Sequence, residues 1–503
     1  MQQPDDAVRL THSAAAAIPA FMFDIRPVGY VIGLLVAALG ATMLIPLAVD
    51  LYEGNGNANA FLESAVLSFA VGGFTALSCM SSAEDNLGRQ QLFLLTTGVW
   101  VALPIFAAVP FVLGAPGASY TDAYFEAMSG LTTTGSTTFG ELETLPRGVL
   151  LWRSMLQWMG GIGIVIVAMV FLPELRVGGM QIFQSEAFDT DGKVLPRATA
   201  IAAQISVIYA ILTLACVLSY MIVGMQPFDA INHALTTVST GGFSTTDASF
   251  GKFQGAPEYV ASVFMFLACL PFVRYVQILA GSARPLLVDP QIRGFVWTSG
   301  VLTIAIFLFQ LIADEAPIEP AFRESLFNVI SIITGTGYAS VDYQLWGAFP
   351  MTVFFLMGLI GGCAGSTGCS IKVFRHQILI ASLKAQIQQV HSPNGLFRAR
   401  YKGNVITEEI LSSVMTFFVL FILLLGVFSV LLGMTGLDFV TSVSGAATAI
   451  ANIGPGLGDM IGPAGNFVDI DPTAKWILSF AMLLGRLELL VVLTLFLPQF
   501  WRA

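Results

Sequence analysis

Apolar residues in this chain come in long runs, broken by short polar or glycine-rich segments. A run of about 20 residues nearly free of charge is what a helix needs to cross a bilayer core. Val28 to Val49 and Phe61 to Met80 fit that length and predict a hairpin that crosses and returns, with Glu53-Gly54-Asn55-Gly56-Asn57 as its turn. A four-part order then begins: a span (Leu92 to Leu113), a short amphipathic piece (Tyr120 to Leu131), a glycine stretch, and a second span (Val149 to Leu172). The order recurs three times. Spans Ala198 to Val223 and Tyr259 to Gly281 bracket Pro227 to Thr245; Phe295 to Ala313 and Phe349 to His376 bracket Ala321 to Ser340; Ile410 to Met434 and Ala474 to Phe496 bracket Leu437 to Gly458.

The expected fold is therefore an all-α integral membrane protein. A tail and two-helix hairpin (1–90) precede four pseudo-repeats of helix, pore helix, filter loop and helix, at 91–175, 176–285, 286–385 and 386–503, around a central ion pore. Spacing supports the repeats: Asp122, Asp229 and Glu324 each lie 13 positions before Gly135, Gly242 and Gly337. A carboxylate opening a helix interacts well with its free amides, and about three turns then lead to the glycine. The fourth repeat departs, since Asp438 lies farther from Gly454; a longer helix or another cap is expected there.

Four glycine stretches stand in register: Thr133-Thr134-Gly135-Ser136, Thr240-Gly241-Gly242-Phe243, Gly335-Thr336-Gly337-Tyr338 and Asn452-Ile453-Gly454-Pro455. Glycine admits backbone conformations that turn successive carbonyl oxygens toward one axis, where they replace a cation's water shell. Irregular backbone inside hydrocarbon is tolerated only where protein or a watery cavity surrounds it. Short helices aiming their negative C-terminal ends inward favour a cation. The competing reading is four ordinary hairpins with glycine-rich turns.

Two features interrupt the spans. Gly361, Gly362, Gly365, Ser366, Thr367 and Gly368 put too many glycines and hydroxyls into the second span of repeat three for it to run straight, so its middle is expected to unwind. The alternative is a packing kink. Arg486, midway along the last span, would cost roughly 2.5 to 3.5 kcal/mol in hydrocarbon and needs an interior partner; pairing with Glu488, or snorkelling, is the structural alternative. Arg274 poses the same question.

Composition narrows the functional classes. Of 503 residues 55% are hydrophobic and 11% charged, and the net charge of -10 argues against nucleic acid as a partner; membrane lipid is the implied surrounding. The five cysteines suggest no disulfide or zinc framework. No phosphate-binding loop is present, and Ser366 has no indicated base, so the chain reads as no enzyme. Met1 to Ala20 reads as a retained cytoplasmic tail. Arg176, Lys193, Arg197, Arg284, Arg293, Lys384, Arg398, Arg400 and Lys402 fall in connections between repeats, which places those connections and both termini in the cytoplasm. Glu141, Glu143, Asp247, Asp314, Glu315, Asp342, Asp469 and Asp471 fall on the filter side and are expected to gather cations, or simply to be solvated.

The four stretches, together with Trp158-Met159-Gly160-Gly161-Ile162-Gly163-Ile164, Gly361 to Gly368 and Gly485-Arg486-Leu487-Glu488, resemble the membrane subunits of Trk-type bacterial potassium-uptake systems (the TrkH family), in the Trk/Ktr/HKT superfamily. The resemblance covers nearly the whole chain. It implies potassium held by backbone carbonyls at Thr133, Thr134, Gly135, Thr240, Gly241, Gly242, Gly335, Thr336, Gly337, Asn452, Ile453 and Gly454. It further implies a gate formed by the repeat-three loop and Arg486, with the loop under the filter and Arg486 in the pore below it. A serine at the first filter glycine goes with sodium permeation in such proteins, so Gly135 argues for potassium. The resemblance also implies a homodimer in the bacterial inner membrane and a cytosolic TrkA-type nucleotide-binding ring. Any nucleotide (ATP/ADP or NAD) belongs to that partner, this chain itself having no cofactor. Ser282 to Gly294 and Gln386 to Asn404, both basic, are the expected docking surface. A sodium-permeable or ion-coupled symporter and a non-conducting membrane receptor are the alternatives.

Overall fold

Helices form where the apolar runs are, because backbone inside hydrocarbon has to satisfy its own hydrogen bonds. The computed structural model describes residues 24–82, 87–171, 175, 178–183, 198–313 and 315–501. Both termini, the tail from Met1 to Ala20, and Arg176, Lys193, Arg197 and Asp314 lie outside the described residues. Among those described, seven helices are long and apolar enough to cross a membrane: Arg26–Glu53, Ala58–Ser78, Arg89–Leu113, Arg147–Met169, Ile201–Ile222, Pro290–Ala313 and Glu408–Met434. The first two form the expected hairpin. Buried Asp50 fastens it to repeat one, accepting from Asn55 and Asn57 at 2.7 Å and from Gly148 N at 2.8 Å.

The sequence predicts a broken second span only in repeat three, but repeats two and four break as well. In repeat two Ala256–Ala268 and Phe272–Leu279 meet at 87° across Cys269-Leu270-Pro271. Pro271 lacks the N–H that would continue the first helix. In repeat three Ala348–Gly358 stops and Val373–His391 resumes beyond the glycine-rich loop, which is unwound as expected. In repeat four Pro472–Arg486 ends on Arg486, and Leu490–Thr494 follows after Glu488 and Leu489 adopt φ of 63° and 50°. Arg486 is therefore the last residue of a helix, not the midpoint of one.

Each pair of spans encloses a short helix: Tyr120–Leu131, Pro227–Val238, Ile318–Thr334 and Phe439–Ala451. All four are buried in their later turns, so the interior of the molecule is where they converge. Asp122 and Asp229 occupy first turns as expected. Glu324 does not, because its helix starts at Ile318 and Glu319 takes the first turn. Asp438 needs no substitute: it is itself the N-cap, accepting from Thr441 N at 2.8 Å. Counted from the caps, Ser119, Gln226 and Asp438 each stand 16 positions before their glycine, so repeats one, two and four agree. The third repeat is the one that departs, about one turn longer. The acid has merely moved from the first turn to the cap, and from either place it faces free amides.

Candidate functional site

The four short helices end on loops of one backbone pattern. Two residues before each glycine the backbone is left-handed: φ is 53° at Thr133, 52° at Thr240, 77° at Gly335 and 53° at Asn452. The glycines follow at 91° (Gly135), 81° (Gly242), 80° (Gly337) and 101° (Gly454). Thr134, Gly241, Thr336 and Ile453, between them, are not left-handed. In an extended strand successive carbonyls alternate sides; alternating backbone hand instead turns them to one side, as a carbonyl-lined ion site requires. Two of these residues are β-branched, for which positive φ is an outlier costing about 1–3 kcal/mol, retained only where the surroundings over-determine it.

The loops also close on each other in cyclic order. A Cβ added to Gly135 would lie 2.3 Å from the Gly241 oxygen, one on Gly242 1.9 Å from the Thr336 oxygen, one on Gly337 1.7 Å from the Ile453 oxygen, and one on Gly454 2.8 Å from the Thr134 oxygen. Each carbonyl preceding a filter glycine thus packs on the glycine of the adjacent repeat, and the fourth returns to the first. The structure brings all twelve residues named from the sequence into this ring. Threonine hydroxyls are occupied sideways: Thr132 to Thr134 and Thr334 to Thr336 at 2.7 Å, and Thr240 to the Ser239 carbonyl at 2.7 Å. The ring is not fourfold in its supports. Ser136 Oγ donates to the Gly454 carbonyl at 2.8 Å, and Asn452 Nδ2 to Thr134 Oγ1 at 2.9 Å, both joining strand four to strand one.

Three supporting residues escape the sequence reading. Glu126, on the first short helix, is fully buried and accepts from Thr138 N at 2.8 Å and from Thr137 Oγ1. Arg153, on the second span, donates to Glu126 at 2.7 Å and to the Ser244 carbonyl at 2.9 Å. Gln157, one turn on, donates to the Gly241 carbonyl at 2.6 Å and accepts from Phe243 N at 3.0 Å. The available signal was a Glu and an Arg inside apolar segments, where charge persists only when paired.

A cavity of about 100 Å³ lies against the ring, lined by all four filter glycines together with Ser136, Phe243, Arg153 and Asp247. Of the acids expected at this mouth, Asp247 alone among the described residues lines it. Partial desolvation at the cavity wall raises the carboxyl of this otherwise exposed residue above its ordinary value, and Glu143 nearby adds to that. Asp342 and Asp471 instead cap helices, accepting from Gln344 N and Thr473 N.

On the opposite side the repeat-three loop packs beneath the ring. Cys369 N donates to the Thr334 carbonyl at 3.4 Å and Ser370 N to the Ala451 carbonyl at 3.0 Å, so the loop takes up the C-terminal ends of two short helices. Its other edge is tied to the break in repeat two, Cys363 N donating to the Cys269 carbonyl at 3.1 Å and Thr367 Oγ1 to the Ala268 carbonyl at 3.0 Å. Arg486 Nη1 reaches Cys369 Sγ at 2.8 Å and Nη2 reaches the Gly160 carbonyl at 3.3 Å. The alternative pairing with Glu488 does not occur, because Glu488 is held by Arg375. Lys372 Nζ, also beside the loop, donates to the Gly368 carbonyl. Arg274 finds the partner the sequence left open: Asp289 at 2.5 Å, which Lys402 also approaches at 3.4 Å.

The family model described as "TrkH: Cation transport protein" matches residues 57–502. The chain is 41% identical over 478 residues to the Trk system potassium uptake protein TrkI of Halomonas elongata, covering 95% of this chain and 97% of that protein. It is 34% identical over 485 residues to the Trk system potassium uptake protein TrkH of Escherichia coli, covering 95% and 99%. The crystal structure of the potassium transporter TrkH from Vibrio parahaemolyticus superposes with a TM-score of 0.88 at 31% identity, covering 95% of this chain and 100% of that one.

Proposed function

The chain belongs to the TrkH family of cation transport proteins, and on that premise we propose that it carries potassium inward across the bacterial inner membrane through a gated pore at the ring of four glycine loops. The observation that carries this reading is the cyclic packing of the four loops with one alternation of backbone hand. Carbonyls turned to one side replace the hydration shell of a weakly hydrated cation, and the four helix C-termini behind them add negative potential. Its curated relatives bear potassium-uptake names, in agreement. The activity is transport, not catalysis. An inside-negative potential of 100 mV contributes about 2.3 kcal/mol per cation moved inward, so accumulation requires no reaction in this chain.

In this reading the loop from Gly361 to Gly368 closes the path below the ring, and Arg486 holds it through Cys369 while opposing cation passage with its own charge. A cytosolic nucleotide-binding ring opens it, docking on Ser282 to Gly294 and Gln386 to Asn404, with nucleotide bound only by that ring. The Lys402 to Asp289 contact, which joins the two connections, and the exposed Leu287, Ile387, Val390 and Leu396 on them support that surface. The assembly is a homodimer with both termini cytoplasmic. The test is expression in a bacterium stripped of its potassium-uptake systems. Growth restored at low external potassium, and lost on Gly242→Val, is expected; no rescue by protein that reaches the membrane would overturn the proposal.

A further inference from the structure

The second span of repeat one does more than cross the membrane. Arg153 and Gln157 stand four residues apart on helix Arg147–Ile166 and so share one face. That face meets the filter strand of repeat two. Gln157 clasps it twice, donating to the Gly241 carbonyl at 2.6 Å and accepting from Phe243 N at 3.0 Å. Arg153 adds a third tie to the Ser244 carbonyl at 2.9 Å and lies over the Phe243 ring at 4.2 Å. Its other nitrogens go back to repeat one, to Glu126 on the short helix at 2.7 Å and to Thr137 Oγ1 on the loop at 3.1 Å. All three side chains are at most 1% exposed, so these bonds do not compete with water.

Nothing equivalent stands in repeat four. Gly160 and Gly485 are matching positions: a Cβ on either would strike the carbonyl four residues before its filter glycine, Leu131 at 1.8 Å and Ile450 at 1.9 Å. Three and seven residues before them stand Gln157 and Arg153 in repeat one, but Met482 and Leu478 in repeat four. Strand three is held by its own short helix, Ser331 Oγ donating to the Tyr338 carbonyl at 2.7 Å, and by the short helix and following loop of repeat two, through Thr236 and Phe250 N. Other junctions are tied by the loops' own side chains, as Ser136 and Asn452 tie strands four and one; the junction of strands one and two is clamped by polar side chains of a membrane span, where the matching positions of repeat four are apolar.

We propose that Gln157 and Arg153 are specificity-positioning residues, which set the width of the ring at the junction of strands one and two and so tune potassium over sodium. Gln157 fixes where the Gly241 oxygen lies, and that oxygen packs on Gly135. Glu126 supplies the countercharge that lets a guanidinium stand this close to a cation path. This inference rests on the transport reading above and identifies which side chains fix its selectivity.

The test is the permeability ratio of potassium to sodium in proteoliposomes, for the wild-type chain, Gln157→Met and Gln157→Glu. Gln157→Met fills the space but gives up both bonds; an about 5- to 10-fold fall in the ratio is expected, the scale of one or two buried hydrogen bonds. Gln157→Glu keeps the acceptor for Phe243 N and donates to Gly241 only when protonated. Its ratio should therefore rise on acidification, while the wild-type ratio does not, a response that a purely structural role would not give. Should Gln157→Met fail to reach the membrane, Gln157→Glu and Arg153→Lys decide: an unchanged ratio in both overturns the inference, as does an unchanged ratio in a conducting Gln157→Met. Absence of flux in the wild-type chain would sink the transport reading instead, so the two failures are distinguishable.

Discussion

Gly135→Ser bears most sharply on which atoms hold the ion. The backbone there has φ of 91°, closed to L side chains at about 1–2 kcal/mol. The new Cβ would also stand 2.3 Å from the Gly241 oxygen, about 1 Å or more inside normal carbon contact. Strand two has to retreat by about that distance. Gly241 is not free to do so, because its carbonyl accepts from Gln157 at 2.6 Å; parting them forfeits about 1 kcal/mol more. The distortion falls on one quarter of the ring, and ions are discriminated by small differences in carbonyl distance. A differential of 1.4 kcal/mol is worth a factor of ten, so the ratio of potassium to sodium permeability is expected to fall about tenfold. Thr133→Ser is the control: it keeps the backbone and the hydroxyl that reaches Cys369 Sγ at 3.6 Å, and removes one methyl, an effect shared by both ions. Its ratio should change less than about twofold. Bi-ionic reversal potentials in liposome patches give both numbers. Equal effects from the two substitutions, or an unchanged ratio in Gly135→Ser, would mean that carbonyl placement is not what selects.

Four further outcomes follow from other parts of the structure. Arg486→Ala should raise potassium leak without the cytosolic ring, and Cys369→Ala, which removes the hydrogen bond from Arg486 Nη1 but leaves that to the Gly160 carbonyl, should raise it less; tracer flux in proteoliposomes measures both. Because partial desolvation and nearby Glu143 raise the Asp247 carboxyl, that group loses its charge at a higher external pH than an unperturbed aspartate. Uptake at low potassium should therefore decline on mild acidification, while Asp247→Asn starts lower and stays flat; identical pH profiles would remove Asp247 from the mouth. Glu488→Ala strands buried Arg375, whose Nε is bonded to the Gly178 carbonyl at 2.9 Å, and should cost about 3–5 kcal/mol, read as a lowered thermal midpoint in detergent. Neutralising Arg284, Arg293, Arg398 and Arg400 together should abolish pull-down of the cytosolic ring; undiminished capture would place docking elsewhere.

What could be read from the chain without coordinates was set by how local the cause is. Gly135, Gly242, Gly337 and Gly454 were legible because each needs a backbone that other residues resist, and Gly361 to Gly368 because a helix cannot hold that many glycines. The breaks at Pro271 and after Arg486 were not, since each lies in an apolar run long enough to span, and Leu487 to Leu489 carry no glycine to announce a turn. The misplaced irregularity in repeat four has a simple cause. Counting from the acid mistakes a cap, Asp438, for a first-turn residue such as Asp122, whereas the caps themselves keep step. Glu126, Arg153 and Gln157 were passed over because their partners lie on other segments; Arg153 reaches Ser244, 91 residues away. Nothing in spacing along a chain reveals a bond of that kind.

The central claim is that the ring conducts potassium, and flux settles it most directly. Proteoliposomes holding the purified chain, with an inside-negative potential and potassium or sodium outside, should take up potassium well above empty vesicles and above sodium, more so with the cytosolic ring and its nucleotide present. Uptake indistinguishable from that of empty vesicles, with and without that ring, would contradict the account.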